Sequence, residues 1–259
     1  MKIGVMLESF RLEFRKAVER ASELGLEGIQ KYACSGELDW TDDQVKEALD
    51  IVRSNGLVFS AVCGDFGYGF DDPARNPEMV EKSKRVIDLA KKWDCNIVTT
   101  HIHQVPEVEN AQTEVMRKAC TELGKYAESM DAVFALETGP EPGERLAGFL
   151  ESLDTKGVKV NFDPANLVMV AGDRPENALK YLGKHIAHTH AKDGRKLEKG
   201  FVELPLGSGD VNFDIYLPAL KAQGFDGFLT IEREVGEDPA ADIKLAVDFL
   251  REKLAAHSL

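Results

Sequence analysis

The chain has 259 residues, 43% hydrophobic and 30% charged, a balance that suits a globular protein with a full core and excludes a disordered one. Asp and Glu outnumber Lys and Arg by 45 to 32, for a net charge of −13, and no Lys/Arg cluster adjoins the polar strand ends, so small-molecule chemistry is favoured over nucleic acid. No run of about 18 apolar residues marks a membrane span. The N-terminus MKIGVMLESF lacks a signal-peptide pattern, and Cys34, Cys63, Cys95 and Cys120 are too scattered for a disulfide framework. A cytoplasmic protein with reduced thiols is expected.

Short Val-, Ile- and Phe-rich runs alternate with amphipathic stretches along the whole chain. The first strand is expected at Lys2–Met6, followed by a helix over Arg11–Leu24 with Phe14, Ala17, Val18 and Ala21 on one face. The second pair is Glu27–Lys31 and Asp42–Ser54, with Thr41 as cap and Gly56 as stop. Leu57–Val62 precedes Pro77–Trp93, and Asn96–Thr100 precedes Gln112–Met130. Ala132–Glu137 leads to Pro142–Ser152, and Val158–Asp163 to Arg174–Leu182, which Asp173 opens. His185–His190 leads to Phe213–Ala222, and Gly227–Glu232 to Pro239–Ala256, which Asp238 opens.

Eight strand–helix pairs without a linker predict an α/β fold, a (β/α)8 TIM barrel in a single domain over residues 1–259. A doubly wound open sheet fits less well. It usually carries a glycine-rich turn after its first strand, where this chain has Leu7-Glu8-Ser9-Phe10.

Barrel chemistry sits at the C-terminal strand ends. Strands five to eight end in Glu137, Asp163, His190 and Glu232, each about one βα unit apart; an insertion around Asp193–Ser208 lengthens the last interval. Taken singly, any of these is an ordinary cap or ion-pair partner. His188 alternates with His190 and can be a satisfied core histidine, and Asp163 before Pro164 can be turn chemistry. Three carboxylates converging on one mouth repel each other unless protons or a metal neutralise them. One divalent cation held by Glu137, Asp163, His190 and Glu232 is the simplest resolution.

The segments ALETGPE (135–141), NFDPANL (161–167), HTHAKDG (188–194) and PLGSGDVNF (205–213) resemble the sugar phosphate isomerase/epimerase group of the xylose-isomerase-like barrel superfamily. The resemblance puts the same four residues on the family's metal ligands. It implies Mn²⁺ first, with Mg²⁺, Co²⁺ or Zn²⁺ as alternatives, which three carboxylates and one imidazole suit. It places Asn166 where ketose epimerases carry a substrate-contacting histidine. Lys196 stands where they carry an arginine, with Arg195 one residue earlier. With His101, the nearer of His101 and His103 to the end of strand four, Asn166, Lys192 and Arg195 are the substrate-binding candidates. A homo-oligomer is compatible with the resemblance.

The implied activity is that of a metal-dependent isomerase or epimerase. Glu137 and Glu232, as acid/base pair, would move a proton on a ketose, sugar phosphate or related keto-polyol through a metal-stabilised enediolate. An inosose-type dehydratase on the same site is the first alternative. An endonuclease IV-like phosphodiesterase is the second; Asn166 replaces one histidine of its ligand set and the acidic charge opposes it. A non-catalytic sugar-binding barrel is the third. Among weaker features, Gly207-Ser208-Gly209 can be a structural turn or a phosphate nest beside Asp210. Cys63 reads as a buried inert thiol, Phe66, Tyr68 and Phe70 as an apolar wall or loop packing, and Glu8 as a polar contact. The long segment after strand seven is expected to close over the site.

Overall fold

A computed structural model describes residues 1–259. Eight parallel strands close into a barrel in chain order: β1 (Lys2–Met6), β2 (Gly28–Tyr32), β3 (Val58–Cys63), β4 (Ile97–Thr100), β5 (Val133–Glu137), β6 (Val158–Phe162), β7 (Ile186–Ala191) and β10 (Phe228–Ile231). Two further strands, β8 (Asp193–Lys196) and β9 (Phe201–Leu204), form an antiparallel hairpin outside the barrel. The expected barrel is present; the segment after the seventh barrel strand, expected as a loop, is largely this hairpin.

The helices are α1 (Phe14–Glu23), α2 (Asp42–Ser54), α3 (Asn76–Lys92), α4 (Ala111–Ser129), α5 (Gly143–Glu151), α6 (Pro164–Asn166), α7 (Pro175–Leu182), α8 (Phe213–Ala222) and α9 (Pro239–His257). Their ends follow local chemistry. Thr41 and Gln44 form a capping box on α2, and Asp238 caps α9. The first helix begins three residues later than its periodicity suggests, because Leu7–Phe10 forms a 3₁₀ turn and Glu13 caps Phe14 onward. Asp173 does not cap α7: its carboxylate accepts the N–H groups of Arg174 and Gly143, tying the start of α7 to that of α5.

Apolar faces of these helices pack on the strands in one continuous core. Phe59 and Trp93 stack at 4.5 Å between β3 and the end of α3, and Phe162 stacks on Tyr216 of α8. No helix is long and apolar enough to cross a membrane.

Strand register positions the chemistry. Glu137 pairs with Asn161, Asn161 with His188, and His190 with Thr230. The β6–β7 ladder shifts between Val160 and Asn161, an irregularity of the kind that re-aims side chains next to sites.

Candidate metal centre and active site

Glu137 ends β5, Asp163 follows β6, His190 lies near the end of β7 and Glu232 follows β10. All four are at least 93% buried, and one ligand atom from each lies within 4.8 Å of the other three. His190 Nδ1 is 3.5 Å from Glu137 Oε1, 3.6 Å from Asp163 Oδ2 and 3.2 Å from Glu232 Oε2.

Surrounding residues fix each ligand. The Oε1 of Gln30 on β2 accepts from His190 Nε2 at 3.0 Å, and Gln30 in turn donates to Thr99 Oγ1. With its proton on Nε2, the ring turns a lone pair at Nδ1 toward the three carboxylates. Asp163 divides its two oxygens. Oδ1 accepts from the Ala165 and Asn166 N–H groups at 2.7 and 3.0 Å, whereas Oδ2 is buried without a partner. His190 Nδ1 is also unpartnered. Two buried, orphaned acceptors beside two more carboxylates are what a cation site requires. The residues therefore fit one divalent ion. Asp163 is both turn residue and candidate ligand, one oxygen for each.

Glu137 is held by amides. Asn161 Nδ2 donates to Oε2 and Asn166 Nδ2 to Oε1, both at 3.0 Å. Behind Asn161 stands His188, whose Nδ1 donates to Asn161 Oδ1 at 2.8 Å and whose Nε2 accepts from Thr230 Oγ1 at 2.8 Å. His188 is thus a satisfied core histidine. Burial, then the neighbouring His190, pushes its pKa down to about 3, so it stays neutral.

Glu232 is held by a cation. Lys192 Nζ donates to its Oε2 at 2.9 Å, bonds Glu234 and lies 3.9 Å from Glu203 Oε2 on the hairpin. Arg233 joins Glu203 at 2.6 Å and Asp242 of α9 at 2.8 Å. Burial disfavours the charged form of both glutamates, but positive neighbours outweigh it. His101 and His190 hold Glu137 well below the usual carboxylate range; His190 and Lys192 bring Glu232 to about 2. The same field acts in reverse on His190: burial opposes its charge, yet Glu232 and Glu137 raise its proton affinity well above the ordinary value. Three carboxylates around one imidazole make this a centre for positive charge.

His101, just past β4, places Nε2 3.4 Å from Glu137 Oε1 and Nδ1 2.8 Å from Asp65 Oδ2. The negative charge of Glu137 lifts its pKa to about 11 against the opposing effect of burial. Of the substrate candidates, His101 and Asn166 touch Glu137 and Lys192 touches Glu232. Arg195 is not brought to the cluster: it is exposed on the hairpin and paired with Asp210 at 2.8 Å.

Gly207-Ser208-Gly209 is a turn around an internal anion. Asp193 accepts from the N–H groups of Gly194, Gly207, Gly209 and Val211, at 2.8, 3.0, 2.8 and 3.1 Å. A Cβ at Gly209 would lie 2.1 Å from Asp193 Oδ1, so only glycine fits. The nest holds the chain's own carboxylate in place of a phosphate. Cys63 is buried, and desolvation drives its thiol pKa well up, as expected for an inert cysteine. Phe70 packs on Phe134, Tyr68 lies under Arg75, and Glu8 meets Lys31 at 3.4 Å.

Sequence reasoning did not find Gln30, Asn161, Glu203, Glu234 or Asp65. A buried glutamine or asparagine inside an apolar strand was the available signal for the first two.

The sequence pattern of the xylose isomerase-like TIM barrel family matches residues 18–253, and the chain belongs to that family. It is similar to the L-ribulose-5-phosphate 3-epimerase UlaE of Escherichia coli (Crooks strain). The two are 24% identical over 230 residues, 84% of this chain and 80% of that protein. Among solved structures, a xylose isomerase domain protein from Planctomyces limnophilus superposes with a TM-score of 0.84 at 24% identity, covering 92% of this chain and 91% of that one. The probable 3-DHS dehydratase AsbF of Bacillus anthracis superposes with a TM-score of 0.80 at 18% identity, covering 97% and 99%.

Proposed function

We propose that the protein is a divalent-metal-dependent isomerase or epimerase of a ketose, a sugar phosphate or a related keto-polyol. Glu137, Asp163, His190 and Glu232 hold the metal, and Glu137 and Glu232 also serve as the acid/base pair. The observation that carries this reading is the set of four buried ligand atoms within 4.8 Å, two of them without any partner. The similarity to a sugar-phosphate 3-epimerase supports the substrate class. Mn²⁺ is the first choice of metal, then Mg²⁺, Co²⁺ or Zn²⁺. Four unpaired cysteines accord with a reducing cytoplasm.

A bound divalent ion would supply Lewis-acid polarisation of the substrate carbonyl. The remaining work falls to the chain. Glu137 and Glu232 approach from separate strands across the mouth, so one can remove an α-proton and the other return one from the opposite face. Asn161 and Asn166 aim the Glu137 oxygens; Lys192 and His190 both face Oε2 of Glu232 and leave Oε1 to meet the substrate. Asn166, His101 and Lys192 are the proposed contacts for sugar hydroxyls. Arg195 serves the hairpin.

A lyase reading on the same site draws on Lys192, a buried ammonium beside Glu232 that could protonate a leaving hydroxyl. One experiment separates the two: incubate the Mn²⁺-loaded protein in D₂O with a panel of ketoses and keto-acids, then record mass spectra. An isomerase gains deuterium at carbon with no loss of water. Loss of 18 mass units with a new enone absorbance supports the lyase, and a result with neither exchange nor loss of water on any substrate contradicts both.

A further inference from the structure

We propose that Asp65 is a positioning residue for this reaction: its carboxylate fixes the His101 ring so that Nε2 is presented to Glu137 and to the sugar beside it. The inference rests on the acid/base assignment of Glu137.

Asp65 lies two residues past β3 and His101 one residue past β4, so neighbouring strands bring their loops face to face. The two Asp65 oxygens have separate tasks. Oδ1 accepts the Gly67 N–H at 2.8 Å, closing a turn in which Gly67 has φ +74°. That bond aims Oδ2 at His101 Nδ1, 2.8 Å away. The other ring nitrogen then lies 3.4 Å from Glu137 Oε1. Carboxylates at both nitrogens fix the rotation and the flip of the ring together, since a flipped ring would turn carbon atoms toward both.

The His101 side chain is 46% exposed, whereas that of Asp65 is 20% exposed. An imidazole open to the mouth and held at one edge only would sample several rotamers; the Asp65 bond removes that freedom before substrate arrives. The backbone under it is moored as well. Two residues on, His103 Nδ1 meets Asp71 Oδ2 at 3.1 Å, its Nε2 accepts the Gly69 N–H at 2.9 Å, and Val105 N–H donates to Glu141. The β4–α4 segment is thus tied to the loops on both sides, and Asp65 holds the edge of the ring that faces away from Glu137.

Asp65→Asn is the informative variant, because an amide oxygen still accepts the Gly67 N–H while the carboxylate facing His101 is gone. In the ketose exchange assay it should lower kcat/KM about 10- to 100-fold, as lost outer partners of site residues do. His101→Gln should cost a similar factor. Asp65→Asn added to His101→Gln should cost less than about threefold more, since the two act as one unit. Thermal midpoints should stay at the wild-type value. A readout free of turnover accompanies this: in ¹⁵N-histidine-labelled protein, the ring signals missing in His101→Gln should include a slowly exchanging Nδ1 proton that Asp65→Asn removes. Additive kinetic losses, or ring signals indifferent to Asp65→Asn, overturn the proposal. If the wild type turns over no ketose, the functional reading fails while the ring signals still decide the pairing.

Discussion

The β5–β6 side of the mouth and the β7–β10 side each present one glutamate to the same centre, yet hold it differently. Glu137 is oriented by Asn161 and Asn166, neutral amides that direct its oxygens without cancelling its charge. Glu232 belongs to a network in which the buried Lys192 and Arg233 are shared among Glu203, Glu232, Asp242 and the exposed Glu234. Two residues that a symmetric two-base scheme treats alike therefore differ: Glu137 takes its hydrogen bonds from amides and its positive field from the His101 and His190 rings, whereas Glu232 is pinned by direct contact with a buried ammonium. The pinned side is also where the hairpin joins the barrel, through Glu203 and through the Asp193 nest. The segment after β7, expected to close over the site, is anchored to the barrel by these contacts.

The largest effect expected is on Glu137. Glu137→Gln should lower deuterium exchange by about 10²–10⁴-fold, the usual worth of a positioned acid/base, with the fold intact by circular dichroism. Lys192→Met removes the pin and leaves the Glu137 amides untouched. It should lower turnover about 10- to 100-fold and, by leaving buried carboxylates unpaired, destabilise the protein by roughly 3–5 kcal/mol in urea unfolding. Equal kinetic losses with unchanged stability would erase the difference between the two sides.

The smallest effect concerns Glu141, buried in the loop after β5, where desolvation raises its pKa to about 7 against the Val105 N–H and Arg145. With the folded value above the ordinary 4.5, its contribution to stability is fully present below pH 4.5 and declines as pH rises to about 7. Glu141→Gln should therefore raise the thermal midpoint at pH 8 and not at pH 4. A gain at both pH values would show that charge burial is not the cause.

Much of this was legible in the sequence because a barrel collects strand ends on one rim. Once eight βα units are counted, Glu137, Asp163, His190 and Glu232 must meet. What stayed hidden depends on distances that spacing does not encode. Gln30 reaches His190 across the barrel, 160 residues away in sequence, and Glu203 reaches Arg233 only because the hairpin folds back. Gly207 and Gly209 were readable as a nest, but its anion, Asp193, lies outside the GSG motif. Arg195 stood near a family substrate position, yet its strand turns it to solvent and Asp210.

The central claim is that these four side chains share one cation, and calorimetric titration with Mn²⁺ tests it most directly. Asp163→Asn is the matched control, since its amide oxygen still accepts the Ala165 and Asn166 N–H groups while the orphaned anionic oxygen is lost. One ion per chain should bind the wild type, with affinity at least about 10-fold weaker in the variant. No binding to the wild type, or equal binding to both proteins, would contradict the account.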